Sequence, residues 1–68
     1  MDNKLILKNN LKKVRSDKNF SQDELAKLVG TSRQTIIAIE KYLFNPSAKL
    51  ALLLCTVLDT TFEELFYF

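Results

Sequence analysis

The sequence predicts an all-α domain of five short helices, and three observations carry that prediction. The 68 residues contain one glycine and one proline, too few for the many tight turns of an all-β fold. Ser21 with Glu24, and Thr61 with Glu64, have the S/T-x-x-E spacing of helix capping boxes. The single glycine, Gly30, stands between two segments of helical periodicity. A hydrophobic content of 47% beside 26% charged residues is ordinary for a globular domain and argues against disorder. Residues 1–68 read as one small domain, of a size that often gains stability by oligomerising.

Taken in order, Lys4 to Lys8 (K-L-I-L-K) is too brief to bury a face as a helix and reads as an extended arm. Asn9 and Asn10 after it are good helix caps. Helix 1 then runs from about Asn10 to Asp17, with Leu11 and Val14 inward and Lys12, Lys13 and Asp17 outward. Helix 2, Gln22 to Val29, has the best-specified start in the chain. Ser21 and Glu24 form its capping box, and Phe20 and Leu25 its hydrophobic staple. Leu25, Ala26, Leu28 and Val29 are expected on its inner face. Gly30 tolerates the positive φ that ends one helix and turns the chain into the next.

Ser32 caps helix 3, about Arg33 to Lys41, whose Ile36 and Ile39 face inward while Arg33, Gln34, Ile37, Ala38 and Lys41 lie on the other side. Pro46 in Asn45-Pro46-Ser47 forbids continuation of a helix, and Ser47 caps helix 4, about Ala48 to Leu58. That helix is apolar nearly all round, which predicts burial on more than one side, as a central helix or one covered by a second subunit. Thr61 and Glu64 start a last short helix at Phe62. The terminal L-F-Y-F is an apolar aromatic tail in a position that normally frays.

Helix, tight glycine turn, helix is the layout of a helix-turn-helix DNA-binding unit. The charge distribution agrees. Through Lys41 the chain carries nine Lys/Arg against five acids, a balance of +4; from Tyr42 onward Lys49 faces Asp59, Glu63 and Glu64, a balance of −2. Six of the seven aromatics (all but Phe20) lie in that second part. A basic front and an apolar, acidic back fit a protein that binds a polyanion by one end and its own kind by the other.

Other function classes lack their residues. There is no histidine, no cysteine pair, no phosphate-binding glycine loop and no carboxylate pair in an apolar setting, so neither an enzyme nor a metal or cofactor site is expected. The lone Cys55, among Leu53, Leu54 and Val57, reads as a small core residue. The apolar run from Leu50 to Cys55 is far shorter than the ~20 residues of a membrane span, and M-D-N-K has no signal-peptide pattern. The expected location is cytoplasmic.

Gln22 through Glu40, with the helix before it and N-P-S after it, resembles the lambda-repressor/Cro-like (XRE) helix-turn-helix regulators of bacteria and phages, in their compact single-domain form. The residues that carry the likeness are S-Q-D-E-L-A, S-R-Q-T-I, I-E, N-P-S and E-E-L-F, together with the upstream Arg15. The similarity covers about Asn10 to Phe66. It implies a five-helix domain with helix 3 in the major groove, and a homodimer that regulates transcription, as a repressor, from a pseudo-palindromic operator. In the shortest members the chain ends form extended segments. Leu5–Lys8 is therefore a candidate antiparallel strand partner for Leu65–Phe68.

Arg and Gln are the side chains that read guanine and adenine edges bidentately, and Ala38 or Ile37 can pack on a thymine methyl. The resemblance places Arg33 and Gln34 at base-reading positions. Gln22 opens helix 2, where free N–H groups and the helix dipole attract phosphate. With it, Ser32, Thr35, Lys41 and Asn45 are the expected DNA-backbone contacts. By the same resemblance Arg15 and Glu40 form an internal salt bridge that orients helix 3.

Two departures from the family pattern bear on partners. Tyr42 and Leu43 stand where a glycine-and-lysine turn is usual, and a tyrosine at positive φ is strained. Leu53 replaces a commonly charged position. These residues, with Phe44, predict an exposed apolar surface. We expect a dimer interface at Leu53, Phe66, Tyr67 and Phe68, and a protein-partner surface around Tyr42–Phe44. An antitoxin that binds both DNA and a toxin protein is the alternative reading.

Overall fold

Helix boundaries in the computed structural model follow the capping chemistry. The structure describes residues 5–68; Lys4, the first residue of the expected arm, and the M-D-N-K start lie outside the described residues. The elements are β1 (Lys8–Asn9), α1 (Leu11–Asp17), α2 (Gln22–Val29), α3 (Arg33–Glu40), α4 (Ala48–Leu58), α5 (Phe62–Leu65) and β2 (Phe66–Tyr67). Ser21 Oγ accepts from the Glu24 N–H at 3.0 Å while the Glu24 carboxylate accepts from the Ser21 N–H at 2.8 Å. Thr61 and Glu64 repeat the arrangement at the start of α5. Ser32 and Ser47 cap α3 and α4 by accepting from Thr35 and Leu50 N–H, each at 3.2 Å.

Four helices end in the same way. After α1, α2, α3 and α4 a residue enters the left-handed region: Asn19 (φ 63°), Gly30 (75°), Tyr42 (63°) and Asp59 (52°). In each case the next N–H reaches back five residues, as in Phe20 to the Arg15 carbonyl (3.1 Å), Thr31 to Ala26 (2.9 Å), Leu43 to Ala38 (2.9 Å) and Thr60 to Cys55 (3.0 Å). This is the Schellman ending, which satisfies the last carbonyls of a helix. Glycine, asparagine and aspartate accept positive φ readily; Tyr42 does not, and it is the strained member of the four.

Leu11, Leu25, Ile36, Ile39, Leu54, Leu58 and Leu65 are fully buried and draw the five helices onto one core. Val14, Phe20, Leu50, Leu53 and Val57 pack around it. Where the outcome differs from the sequence expectation, the reason is geometric. Leu28 is 56% exposed, because at 100° per residue it falls off the stripe set by Leu25, Ala26 and Val29. α3 closes at Glu40, with Lys41 just outside it. α4 buries Ala51, Leu54, Cys55 and Leu58 but leaves Leu52 and Thr56 open, so one face of this apolar helix is uncovered within the protomer.

The chain ends do pair antiparallel, in the register Lys8 with Tyr67 and Asn9 with Phe66. The pairing begins at Lys8, not Leu5, because Asn9 pins the chain. Its buried side chain donates to the Ile39 carbonyl at 2.9 Å and accepts from the Leu11 N–H at 3.0 Å. Asn10 adds two bonds to the other end, from its N–H to Leu65 O (2.9 Å) and from its amide to Glu64 O (3.0 Å). The pleat then sends alternate side chains to opposite faces. Phe66 turns into the core, 4% exposed, and stacks at 5.1 Å on Phe62, while Tyr67 faces out.

Candidate nucleic-acid interface

The site is built on α2, the Gly30 turn and α3. Ile36 and Ile39 hold α3 on the core, which turns Gln34, Ile37, Ala38 and Lys41 to the opposite side at i, i+3, i+4 and i+7. Gln34 and Lys41 are exposed and Ile37 and Ala38 half-buried at the flanks of that stripe. Arg33 is exposed at the helix start, beside Ser32. The Ser32 and Thr35 hydroxyls are hydrogen-bonded to each other at 2.9 Å, so both oxygens sit at the N-terminal end of α3, where the helix dipole favours an anion. Asn45 is exposed in the loop that leads to α4.

Glu40 joins three helices. Its carboxylate takes Arg15 Nε at 2.7 Å and Nη2 at 3.4 Å, and accepts from the Gln22 amide at 3.0 Å. Arg15 Nη1 also donates to the Phe20 carbonyl at 2.9 Å. The two charged side chains are 11% and 5% exposed, so the pair is largely removed from water. Glu40 ends α3, where the helix dipole disfavours a negative charge, and Arg15 offsets it. One carboxylate thereby sets the angle of α3 against α1 and holds the Gln22 side chain at the first position of α2. The resemblance accounts for Arg15 and Glu40. The Gln22 bond was missed in the sequence, since residues 18 positions apart carry no periodic signal.

Asn9 is the second residue the sequence reading undervalued. It works as a cap to Leu11, but its bond to Ile39 O also ties the chain-end sheet to the last turn of α3. Tyr42 follows that turn, with its hydroxyl 3.5 Å from the Asn9 carbonyl. The neighbouring Tyr67 phenol raises the Tyr42 pKa above its ordinary value, and Lys8 lies 5.5 Å over the Tyr67 ring. The aromatic tail is therefore folded back against the end of α3.

The expected apolar surface is broken up. Phe66 belongs to the protomer's own core and has no face left for a partner. Leu53 is half-buried and lines a groove with Val29, Gly30 and Thr31, on the side of α4 that faces the α2–α3 turn. Tyr42, Leu43, Phe44, Tyr67 and Phe68 remain exposed. Cys55 is buried, and burial together with the nearby Glu63 charge pushes its thiol up, away from the reactive thiolate.

A helix-turn-helix family profile matches residues 11–65 of the chain. The chain belongs to the lambda-repressor/Cro-like (XRE) helix-turn-helix family of DNA-binding regulators. It is 45% identical over 62 residues to an uncharacterized HTH-type transcriptional regulator of Methanocaldococcus jannaschii, covering 91% of this chain and 94% of that one. Identity to the HTH-type regulator YgzD of Bacillus subtilis is 39% over 61 residues, with 90% and 92% covered. Among solved structures, the restriction-modification controller protein C.AhdI of Aeromonas hydrophila superposes with a TM-score of 0.73 at 35% identity, over 79% of this chain and 82% of that one. These family members are named as transcriptional regulators or controllers, which favours the regulator reading over the antitoxin one. Among the described residues no helix is long and apolar enough to cross a membrane.

Proposed function

We propose that this regulator represses transcription by binding a pseudo-palindromic operator as a homodimer. The observation that carries the proposal is the outward stripe of α3. Gln34, Ile37, Ala38 and Lys41 share one face, with Arg33 exposed at the N-terminal end. An α-helix fits the major groove, and its N-terminal residues are the ones that reach base edges. Arg33 and Gln34 are the base readers in this reading, Arg for guanine and Gln for adenine, with Ile37 and Ala38 against thymine methyls. Gln22, Ser32, Thr35, Lys41 and Asn45 hold the phosphates and set the register. Two such units on one dimer read half-sites about one helical turn, ~34 Å, apart. Occupancy of a promoter by that dimer excludes polymerase, which makes repression the direct consequence of binding.

Selection of bound duplexes from a random pool tests this reading. A two-fold symmetric consensus with half-sites one helical turn apart supports it. An enriched single half-site removes the dimer, and no enrichment at any salt concentration removes sequence-specific binding altogether.

A further inference from the structure

The open face of α4 has a charge order that suits a second copy of itself. Ala48, Lys49, Leu52 and Thr56 are all exposed and fall within about 100° of the helix circumference, and Asp59, also exposed, follows the last residue of the helix. Lys49 stands at one end of this stripe and Asp59 at the other, and among the described residues neither has an ion-pair partner. They are ten positions apart, or about 15 Å along the helix, so they do not reach each other within one chain. Between them Leu52 is 61% exposed. The Thr56 hydroxyl is bonded to the Leu52 carbonyl at 2.8 Å, which leaves the middle of the stripe apolar. Beside it runs a shallow groove whose lining includes Leu52, Cys55 and Thr56, with the acidic Asp59 and Glu64.

We infer that two copies associate through antiparallel α4 helices, crossing near Leu54. This placement rests on the homodimer reading above and assigns its contact surface. About a two-fold axis at that point, residues equally far from Leu54 face one another. Lys49 meets Asp59 of the second copy, and Leu52 meets Thr56 at the edge of the second copy's groove. Each contact occurs twice, as a two-fold interface requires. Parallel packing sets Lys49 against Lys49 and Asp59 against Asp59, so the charge order selects the antiparallel arrangement. The surface lies on α4, apart from Phe66 and Leu53, which the protomer uses for its own packing.

Sedimentation velocity on the full chain, over a range of concentrations, tests the assignment. Leu52→Lys places two cations in the apolar centre and is expected to weaken dimerisation at least about tenfold. Lys49→Asp and Asp59→Lys each set like charges together and are expected to weaken it about threefold. Asp59→Lys also strains a left-handed position, so the decisive comparison is between variants that share it. Adding Lys49→Asp to Asp59→Lys is expected to restore tighter dimerisation than Asp59→Lys alone. A dimerising wild type whose affinity Leu52→Lys leaves unchanged, or a double reversal no tighter than Asp59→Lys, overturns the α4 surface while the homodimer stands. A wild type that is monomeric at every concentration overturns both.

Discussion

Replacing Glu40 by glutamine tests how α3 is held. The substitution keeps the shape and removes one charge from a carboxylate that binds Arg15 at 2.7 Å and the Gln22 amide at 3.0 Å. Arg15 keeps its bond to the Phe20 carbonyl, but its guanidinium, 11% exposed, loses its counter-charge. Removing one partner of a buried pair costs about 3–5 kcal/mol when nothing replaces it. The glutamine oxygen still accepts one bond, which brings the expected loss to about 2–3 kcal/mol. A chain of this length has a total stability on the order of 3–10 kcal/mol, so the loss is a large share. Each kcal/mol corresponds to roughly 4–8 °C in a domain this small, and a drop of about 10–20 °C in Tm by far-UV circular dichroism is expected. Arg15→Met with Glu40→Leu leaves no buried charge and is expected to recover most of that drop. A Glu40→Gln variant within about 0.5 kcal/mol of wild type refutes the account, because it shows the pair to be solvated as an ordinary surface bridge is.

Other substitutions separate the remaining roles. Arg33→Ala or Gln34→Ala is expected to lose about 1–3 kcal/mol on the selected operator and to relax preference at one base pair; Lys41→Ala weakens specific and random DNA alike and lowers the salt slope by about one. Both are read by fluorescence anisotropy across a salt series, and equal losses on operator and random DNA for Arg33→Ala exclude base reading by that residue. Asn9→Ala strands the Leu11 N–H and leaves the Ile39 carbonyl with the Tyr42 N–H as its remaining donor, with an expected loss of about 1–3 kcal/mol by chemical denaturation; an unchanged midpoint shows that Asn9 does not clasp the sheet to α3.

Gly30→Asn is expected to fold with a loss under about 1 kcal/mol, since asparagine tolerates positive φ and a Cβ there meets nothing within 4 Å. Loss of the fold in that variant shows that the turn needs more than φ freedom. The Ser21 and Thr61 bonds hold the Glu24 and Glu64 carboxyls below their ordinary value of 4.5 in the folded chain. Each carboxyl therefore favours folding fully above that value and loses its contribution as pH falls through the lower folded value. Thermal melts are expected to fall below pH 4.5, and less steeply in a Glu24→Gln, Glu64→Gln double variant, which has no carboxyl to protonate at either box; equal slopes exclude the two capping-box carboxyls as the cause.

Local chemistry in the sequence is enough to determine where four of this chain's helices begin and how α2 ends. Ser21, Ser32, Ser47 and Thr61 cap α2 to α5 through bonds that span three residues, Gly30 takes positive φ with no Cβ to clash, and Pro46 is barred from a helix interior. Those effects act over one turn, so a linear reading finds them. The same holds for the outward placement of Arg33 and Gln34, which follows from the burial of Ile36 and Ile39 on a helix of known period. What the tertiary structure decided depends on groups far apart in the chain. Asn9 shifts the chain-end pairing by bonding a carbonyl 30 residues away, and the pleat of the resulting strand sends Phe66 into the core and Tyr67 out. Gln22 meets Glu40 only because α2 and α3 are already docked. Periodicity leaves open which face of the apolar helix α4 stays uncovered, and the packing of α2 and α5 against it decides that Leu52, not Leu53, faces solvent.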